Sequence, residues 1–356
     1  MEVKYFRDVT DLPQLSVEES LRLKEVTKKF PFYANSYYLD LINWQDEADP
    51  IRRMVVPTTE ELEDESWGAT DPSRENHYTT LPGLQHKYSD TAIMLAGDSC
   101  YGNCRYCFRK RLFVDGGRYE VLRDYKPAIS YIEGHKEISN VILTGGDPLL
   151  LETSRLSDIL TELKWIKHVK IIRIGTKAPV YNPFRIIDDA VLPRLIDKIS
   201  GPQKLIYFVL HFSHPREITS EAVKAVGILL RSGAVLLNHH PLIRGVNDSP
   251  EVLAELHRKL SFIGVSPYYV YQVRPAKGNK TYSMPIARAY RIFLESQKQL
   301  SGTAKRARFV LSHKLGKIEV VGLDENYIYT KYHRSPKNDL VDRMVTMKID
   351  EEKYWL

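Results

Sequence analysis

The chain has 356 residues, and its 51 Lys and Arg against 45 Asp and Glu give a net charge of +6. The length predicts about two domains, or one barrel with additions, and 43% hydrophobic residues suffice for a large core. The mild basic excess favours solvated faces over a nucleic-acid site, since no RNA-binding motif accompanies it. Apolar runs stay below the roughly 18 residues of a membrane helix, and the N-terminus lacks a signal peptide's apolar region. We therefore expect a soluble cytoplasmic protein.

The first 90 residues are typical of a helical extension. Ser16 can cap a helix, and Glu19 follows three residues later, as in a capping box. Pro31 marks a break before a second helical stretch over 34–43.

From residue 91 to about 300, short apolar runs alternate with amphipathic helices. The runs are dense in Ile, Val, Leu and Tyr, as expected of buried parallel strands. The six candidate strands are 91–95, 140–144, 169–175, 205–212, 234–238 and 268–272. Crossover helices, such as those that Thr219 and Ser249 can cap, make the strands parallel. We therefore predict an α/β fold with a partial (β/α)6 barrel of the TIM type, whose functional side chains gather at the carboxyl ends of the strands.

The last part of the chain is rich in β-favouring residues. These residues predict short strands at 308–311, 318–321 and 327–332. The predicted organisation is a helical extension over 1–90, a barrel over 91–300 and a strand-rich segment over 301–356.

The three cysteines of the chain lie close together, directly after the first predicted strand. They are Cys100, Cys104 and Cys107, spaced as C-x3-C-x-aromatic-C. Three thiolates suit a [4Fe–4S] cluster in which one iron has no protein ligand and can bind the amine and carboxylate of S-adenosylmethionine (SAM). This spacing is the signature of radical SAM enzymes, which split SAM into a 5′-deoxyadenosyl radical. A zinc site with His86 as the fourth ligand is the alternative.

Further polar residues follow the later strands. Gly145, Gly146 and Asp147 come after the second strand, where glycines permit close approach of a ligand and the acid can bind an ammonium group. An ordinary turn is the alternative there. Thr176 follows the third strand. His211 ends the fourth, where it can hydrogen-bond a carboxylate or satisfy loop carbonyls.

Several of these segments together resemble the lysine 2,3-aminomutase family. The resemblance runs from about residue 36 to about residue 300. The matching segments are Pro82-Gly-Leu-x-His-x-Tyr88-x-Asp90, Leu143-Thr-Gly-Gly-Asp-Pro-Leu-Leu, His211-Phe-x-His-Pro-x-Glu-Ile-Thr, Leu242-Ile-Arg-Gly-Val-Asn-Asp and Pro267-Tyr-Tyr-Val-Tyr-Gln. It implies that pyridoxal phosphate carries the substrate amine, that the adenosyl radical abstracts the β-hydrogen, and that nitrogen moves from Cα to Cβ.

The resemblance also implies a role for individual residues. The cysteines hold the cluster, Tyr106 lies near the adenine, Gly145, Gly146 and Asp147 near the SAM amine, His211 near its carboxylate, Arg109 at the substrate α-carboxylate and Tyr88 beside the pyridoxal ring. Thr176 and Gln272, at the ends of two strands, complete the expected cofactor-binding residues.

The chain departs from the family pattern in its substrate and pyridoxal positions. Lysine-specific members carry an Asp two residues after the Tyr-Gln pair, where this chain has Arg274. A cation suits an anionic distal group or a backbone carbonyl of a larger substrate. The nearest counterpart of the family's cofactor lysine is Lys305, which is either the imine-forming lysine or a basic surface residue. Lys87 and Thr91 replace two arginines of the family.

We therefore predict an aminomutase-like isomerase acting on an amino acid other than free L-lysine, with Arg109, Arg274 and Lys305 as catalytic residues. A [4Fe–4S] cluster, SAM and pyridoxal phosphate are its expected cofactors. A reducing electron donor and self-association into a homo-oligomer are its expected interactions. Two alternatives stay open: a radical SAM enzyme without pyridoxal phosphate acting on another small molecule, nucleotide or peptide, and a non-catalytic iron–sulfur or RNA-binding protein on the same scaffold.

Overall fold

A twelve-stranded sheet organises the computed structural model, which describes residues 3–63, 65–114 and 120–356. Its strands are neighbours in chain order, and they are β3 Thr79–Leu81, β4 Leu84–Tyr88, β5 Thr91–Gly97, β6 Asn140–Gly145, β7 Ile171–Thr176, β8 Leu205–Leu210, β9 Val235–Leu242, β10 Ser266–Gln272, β11 Arg308–His313, β12 Gly316–Leu323, β13 Tyr327–Arg334 and β14 Met344–Lys348. Strands β5 to β11 are parallel, and the other pairings are antiparallel. A separate antiparallel pair joins β1 Tyr5–Phe6 to β2 Ala34–Asn35.

Helices cover the sheet and connect its parallel strands. They are α1 Val17–Lys29, α2 Ser36–Leu39, α3 Pro50–Val55, α4 Lys126–Gly134, α5 Thr153–Trp165, α6 Ala178–Tyr181, α7 Phe184–Ile187, α8 Val191–Ile199, α9 Ser220–Arg231, α10 Pro250–Phe262 and α11 Ile286–Lys298. The predicted caps of α1, α9 and α10 are confirmed: Ser16, Thr219 and Ser249 each accept a hydrogen bond from a backbone N–H of the first turn. None of the helices described is long and apolar enough to span a membrane.

The mixed α/β fold and all six predicted parallel strands are confirmed, with ends that differ by up to four residues. The helix predicted over 34–43 is shorter, because residues 34 and 35 pair with β1 instead. Strand β11 is parallel to β10, so the parallel part of the sheet has seven strands where the sequence predicted six. The sheet takes strands from all three predicted segments, since β3 and β4 precede residue 91 and β11 to β14 follow residue 301.

The two antiparallel ends of the sheet contact each other, although seven parallel strands separate them in the sheet order. Lys87 Nζ on β4 donates to the backbone carbonyl of His313 at 3.1 Å. Arg334 at the end of β13 forms an ion pair with Asp90, the residue before β5. These contacts place the C-terminal segment against β4 and the start of β5, so the two ends of the sheet lie side by side.

Candidate functional site

The cysteine loop follows β5 and is fastened by the N-terminal extension. Asn35 Nδ2 donates to the carbonyl of Tyr101 at 3.0 Å. Arg105, inside the loop, is buried and forms a two-point ion pair with the buried Glu61, at 2.8 and 2.9 Å. Bidentate pairs of this kind fix orientation as well as distance, so the extension holds the loop in one conformation.

The three cysteines are free, partly buried thiols within this loop. The Tyr181 hydroxyl lies 3.5 Å from Cys104 Sγ, and the backbone N–H of Arg109 donates to Cys107 Sγ at 3.4 Å. Burial raises the pKa of Cys107 to about 11 and raises that of Cys100 well above its usual 9.0, so positive metal charge is what would hold these sulfurs as thiolates. Donors aimed at sulfur fit cluster ligands, whose hydrogen bonds tune an iron–sulfur centre.

The zinc alternative receives no support from His86. Its Nδ1 lies 3.0 Å from the Tyr131 hydroxyl and its Nε2 lies 3.1 Å from the carbonyl oxygen of Ser89, so both ring nitrogens have partners. Across the described ranges, no three His, Cys, Asp or Glu side chains converge on a point that a single ion could occupy.

The glycine pair after β6 packs against the start of the cysteine loop. Gly146 N donates to the carbonyl of Gly97 at 2.6 Å, and Asp147 N donates to that of Ser99 at 2.7 Å. A Cβ on Gly146 would overlap the Ser99 backbone, and Gly145 has φ +116°, which side chains rarely adopt. Glycine is thus required here for loop-to-loop packing, whatever ligand binds above it.

Asp147 links the ends of β6 and β7. Its carboxylate accepts hydrogen bonds from Thr176 Oγ1 at 2.7 Å, from the backbone N–H of Lys177 at 2.8 Å and from that of Leu149 at 3.0 Å. Burial raises the pKa of Asp147, although these donors favour its charged form. In the structure, Asp147 and Thr176 organise the loops, and their contact with SAM stays a prediction.

His211 and Tyr106 lie at the same edge of the sheet as the cysteines. His211 Nε2 is buried and has no hydrogen-bond partner among the described residues, and its ring packs on His239 at 4.9 Å. Burial, together with His239, lowers the pKa of His211 well below 6.5, so the ring is neutral. The Tyr106 hydroxyl lies 3.2 Å from Ser213 Oγ. A buried nitrogen without a hydrogen-bond partner, such as His211 Nε2, is typical of a residue that binds a ligand.

A buried ion pair beside the cysteine loop was not predicted from the sequence. Lys177 Nζ donates to the fully buried Glu217 at 2.8 Å, and the Tyr38 hydroxyl donates to the same carboxylate oxygen at 2.7 Å. Lys177 Nζ also lies 3.3 Å from the Tyr106 hydroxyl. The position of Lys177 directly after a parallel strand is the sequence signal that could have identified it.

Arg109 shares a buried carboxylate with Arg111. Arg109 Nη2 lies 2.7 Å and Arg111 Nη2 lies 2.6 Å from the oxygens of Glu75. Burial alone would raise the pKa of Glu75, but the two guanidinium groups lower it to about 2. Arg109 Nη1 also donates to Thr144 Oγ1 at 3.2 Å, which directs it toward the end of β6. Glu75 carries no sequence signal, because it lies in an irregular polar stretch.

Arg274 packs flat on the ring of Phe108, the residue after the last cysteine. Its Cζ atom lies 3.7 Å from the ring centroid, and Nη1 donates to Ser73 Oγ at 2.6 Å. Burial lowers the pKa of Arg274, although a guanidinium stays charged. The structure thus brings Arg274 and Arg109 together at the cysteine loop.

Two predicted residues have other surroundings. Gln272 Nε2 donates to the carbonyls of Met284 and Tyr354, at 2.6 and 3.0 Å, and ties β10 to the C-terminal end of the chain. Lys305 is exposed in the turn before β11, at the amino ends of the parallel strands and therefore at the edge opposite the cysteine loop. The structure does not bring Lys305 to the other predicted residues, because β11 continues the parallel sheet.

A lysine that the sequence analysis did not single out lies among aromatic and cationic side chains. Lys317, on β12, points toward Tyr269 and Tyr88, with Nζ 5.4 and 5.9 Å from their ring centroids. The Cζ atom of Arg334 lies 4.3 Å from the centroid of the same Tyr88 ring. Burial lowers the pKa of Lys317 well below 10.5, and Arg173 and Arg334 lower it further. Its glycine neighbour, Gly316, was the available sequence signal for a glycine-adjacent lysine.

Comparison with known proteins identifies the relatives of this chain, although no family model matches it. A protein of Aquifex aeolicus provisionally named an L-lysine 2,3-aminomutase is 46% identical over 99% of this chain and 94% of its own length. The L-lysine 2,3-aminomutase of Clostridium subterminale is 34% identical over 81% of this chain and 68% of its own. The glutamate 2,3-aminomutase of Clostridioides difficile is 34% identical over 76% of this chain and 63% of its own.

Among solved structures, a radical SAM methyltransferase from Sphaerobacter thermophilus covers 68% of this chain and 70% of its own, with 17% identity and a TM-score of 0.42. The curated relatives match at higher identity and over most of the sequence, and they confirm the predicted resemblance. The chain therefore belongs to the lysine 2,3-aminomutase family of radical SAM isomerases.

Proposed function

We propose that this protein is a pyridoxal-dependent aminomutase whose amino-acid substrate carries an anionic distal group. The observation that carries the proposal is a set of cationic side chains grouped around Lys317, one of which, Arg274, packs on Phe108 of the cysteine loop. They are Lys87, Arg173, Arg274 and Arg334, and each is partly exposed. Such a grouping is unfavourable without an anionic ligand.

Arg274 is the group that would select the substrate. A second cation brought to within about 4 Å of it would be opposed by about 4 kcal/mol at an effective dielectric constant of 20. A substrate with a distal carboxylate would gain a charge-assisted pair instead. Lysine, with its distal ammonium, is therefore disfavoured, and the relative named as a glutamate 2,3-aminomutase supports this choice.

The same group of side chains supports binding of pyridoxal phosphate. When bound, this cofactor supplies an aldehyde that binds amines and a conjugated ring that delocalises an unpaired electron. Lys317 offers an amine whose pKa is lowered by burial and by neighbouring cations, which favours the neutral, nucleophilic form. Tyr88 offers a ring face beside it, and Lys87 and Arg334 offer charges for a phosphate. We therefore assign to Lys317 the role predicted for Lys305.

The edge around the cysteines supports binding of the cluster and SAM. Cys100, Cys104 and Cys107 supply thiolate ligands, and His211 presents an unpartnered nitrogen at the same edge of the sheet. The hydroxyl of Tyr106, in the cysteine loop, lies 3.2 Å from Oγ of Ser213, two residues after His211. Cross-sheet contacts such as that between Lys87 and His313 also support a sheet that curls into a partial barrel around this edge.

A substrate panel tests the proposed function. The reconstituted protein is incubated anaerobically with dithionite, SAM and β-deuterated L-glutamate or L-lysine. We expect 3-amino product and label in 5′-deoxyadenosine from an acidic amino acid. Arg274→Gln should raise KM for that substrate at least tenfold, while Arg288→Gln, an exposed arginine on α11, should not. Turnover of L-lysine alone would contradict the assignment.

Peptide mapping tests the role of Lys317 without any turnover. Protein loaded with pyridoxal phosphate is reduced with borohydride and digested, and the pyridoxyl group is located by mass spectrometry. We expect the label on Lys317, its loss in Lys317→Ala and its retention in Lys305→Ala. A label on Lys305, or none in the wild type, would refute the assignment.

A further inference from the structure

Tyr181 is held rigidly against the cysteine loop. It ends α6, directly after β7, and it is 1% exposed. Its ring lies 4.1 Å from that of Tyr38, and a Cβ on Gly102 would come within 2.5 Å of Tyr181 Cε1. Its carbonyl accepts a hydrogen bond from Asn35 Nδ2 at 3.0 Å. The ring therefore cannot swing away from the loop without moving its neighbours.

The Tyr181 hydroxyl lies 3.5 Å from Cys104 Sγ. A cysteine that ligates iron is a thiolate and can only accept a hydrogen bond, so the phenol must be the donor. Lys177 Nζ lies over the buried ring of Tyr181, 5.4 Å from its centroid. A cation at this distance is attracted to the ring and helps to hold it in place.

Lys177 is itself fixed by Glu217. The carboxylate of Glu217 accepts from Lys177 Nζ at 2.8 Å and from the backbone N–H of His214 at 3.1 Å, and no part of its side chain is exposed. Because the ion pair is neutral as a whole and locked in place, it orients the donor without adding net charge. The arrangement is therefore a directed hydrogen bond to one sulfur.

Hydrogen bonds to cluster sulfurs stabilise the more negative, reduced state, because added electron density is carried partly by the sulfurs. We propose that Tyr181 sets the reduction potential of the cluster, by donating a hydrogen bond to the Cys104 thiolate and thereby raising the midpoint at which the cluster accepts one electron. Tyr181 acts here as a positioning residue, since it touches a ligand and not the reacting atoms. The inference rests on the cluster of the proposed function but not on its substrate or on pyridoxal phosphate.

A redox titration of Tyr181→Phe tests this inference. Wild type and variant are reconstituted with iron and sulfide, and the reduced cluster is followed by EPR during anaerobic titration with dithionite. We expect unchanged iron and sulfide content and a midpoint more negative than that of the wild type. Tyr101→Phe is the matched control, since the buried Tyr101 belongs to the same loop but its hydroxyl donates to the backbone carbonyl of Leu149 at 2.7 Å. Coinciding midpoints for wild type, Tyr101→Phe and Tyr181→Phe would overturn the inference.

Gly102→Ala gives an independent test, which decides the matter if Tyr181→Phe folds poorly. The new methyl group displaces the Tyr181 ring while keeping its hydroxyl. We expect the midpoint to fall in the same direction as in Tyr181→Phe. A wild-type midpoint in Gly102→Ala would contradict the inference. Because both titrations contain no amino acid and no pyridoxal phosphate, a different substrate would leave their outcome unchanged.

Discussion

Glu75→Gln should both lower the free energy of unfolding and weaken substrate binding. Glu75 is the shared carboxylate of Arg109 and Arg111, and all three side chains are buried. Glutamine keeps the size of the side chain but removes its charge. Two guanidinium groups are then left without the anion that compensates for their burial.

The magnitude follows from the pKa of Glu75, which the arginines lower from an ordinary 4.5 to about 2. Such a shift favours the charged carboxylate by about 3 kcal/mol. Breaking a buried ion pair by removing one partner costs about 3–5 kcal/mol, in agreement with this figure. Since the pKa of Glu75 is lowered on folding, its contribution is complete above about pH 4.5 and is lost as the pH falls toward 2.

Urea unfolding of the cluster-free protein under reducing conditions measures this effect. At pH 7, Glu75→Gln should lower the free energy of unfolding by about 3 kcal/mol. Glu295→Gln is the control, because Glu295 pairs with Lys298 on the helix surface and contributes under about 0.5 kcal/mol. In turnover, the loosened Arg109 should raise KM more than it lowers kcat. A loss below about 1 kcal/mol at pH 7, or equal losses in the two variants, would refute the reasoning.

Three further outcomes are expected. Gly146→Ala should abolish iron and sulfide incorporation, because its Cβ would overlap the cysteine loop. Gly201→Ala, whose Cβ would point into open space, should retain wild-type iron and sulfide content. Equal iron content in the two variants would contradict this prediction. Lys177→Met should leave the buried Glu217 unpaired and lower urea stability by about 3–5 kcal/mol, and a change under about 1 kcal/mol would count against a paired carboxylate. Arg334→Gln should weaken pyridoxal phosphate binding about tenfold or more in an absorbance titration, as loss of a charge-assisted contact predicts, and an unchanged affinity would exclude it from the phosphate site.

The parallel strands were predictable because their hydrophobic runs are continuous and their helices have clear caps. The runs at 91–95 and 140–144 lie within β5 and β6, and Ser249 caps α10 as expected. Strand β14 was not predicted, because its side chains are mostly exposed and it pairs only at the sheet edge. The parallel direction of β11 was missed for a different reason: periodicity indicates a strand but not its partner.

The candidate site was predictable where chemistry follows local spacing. The cysteines, Gly146 and His211 follow the parallel strands β5, β6 and β8, so one rule about the carboxyl ends of strands gathers them. Glu75 and Lys317 come from outside the region 91–300, and only the folded sheet brings them to that edge. Lys305 was chosen by its distance along the chain from a glycine, which carries no information about which edge of the sheet it joins.

The residues beyond the parallel strands give this site its charge. Glu75 from the N-terminal extension compensates the positive charge of Arg109, whereas Arg334 from the C-terminal segment adds positive charge near Lys317 and Arg274. The positive charge of Arg109 is therefore neutralised by Glu75, with which a substrate carboxylate would compete. The positive charge near Arg274 is not neutralised, and further anions would bind there. Because like charges in one pocket cost stability until a ligand compensates them, the excess is better explained by anion binding than by folding. The parallel strands carry the cysteine loop and the residues that support it, and we propose that the flanking segments determine which amino acid this chain accepts.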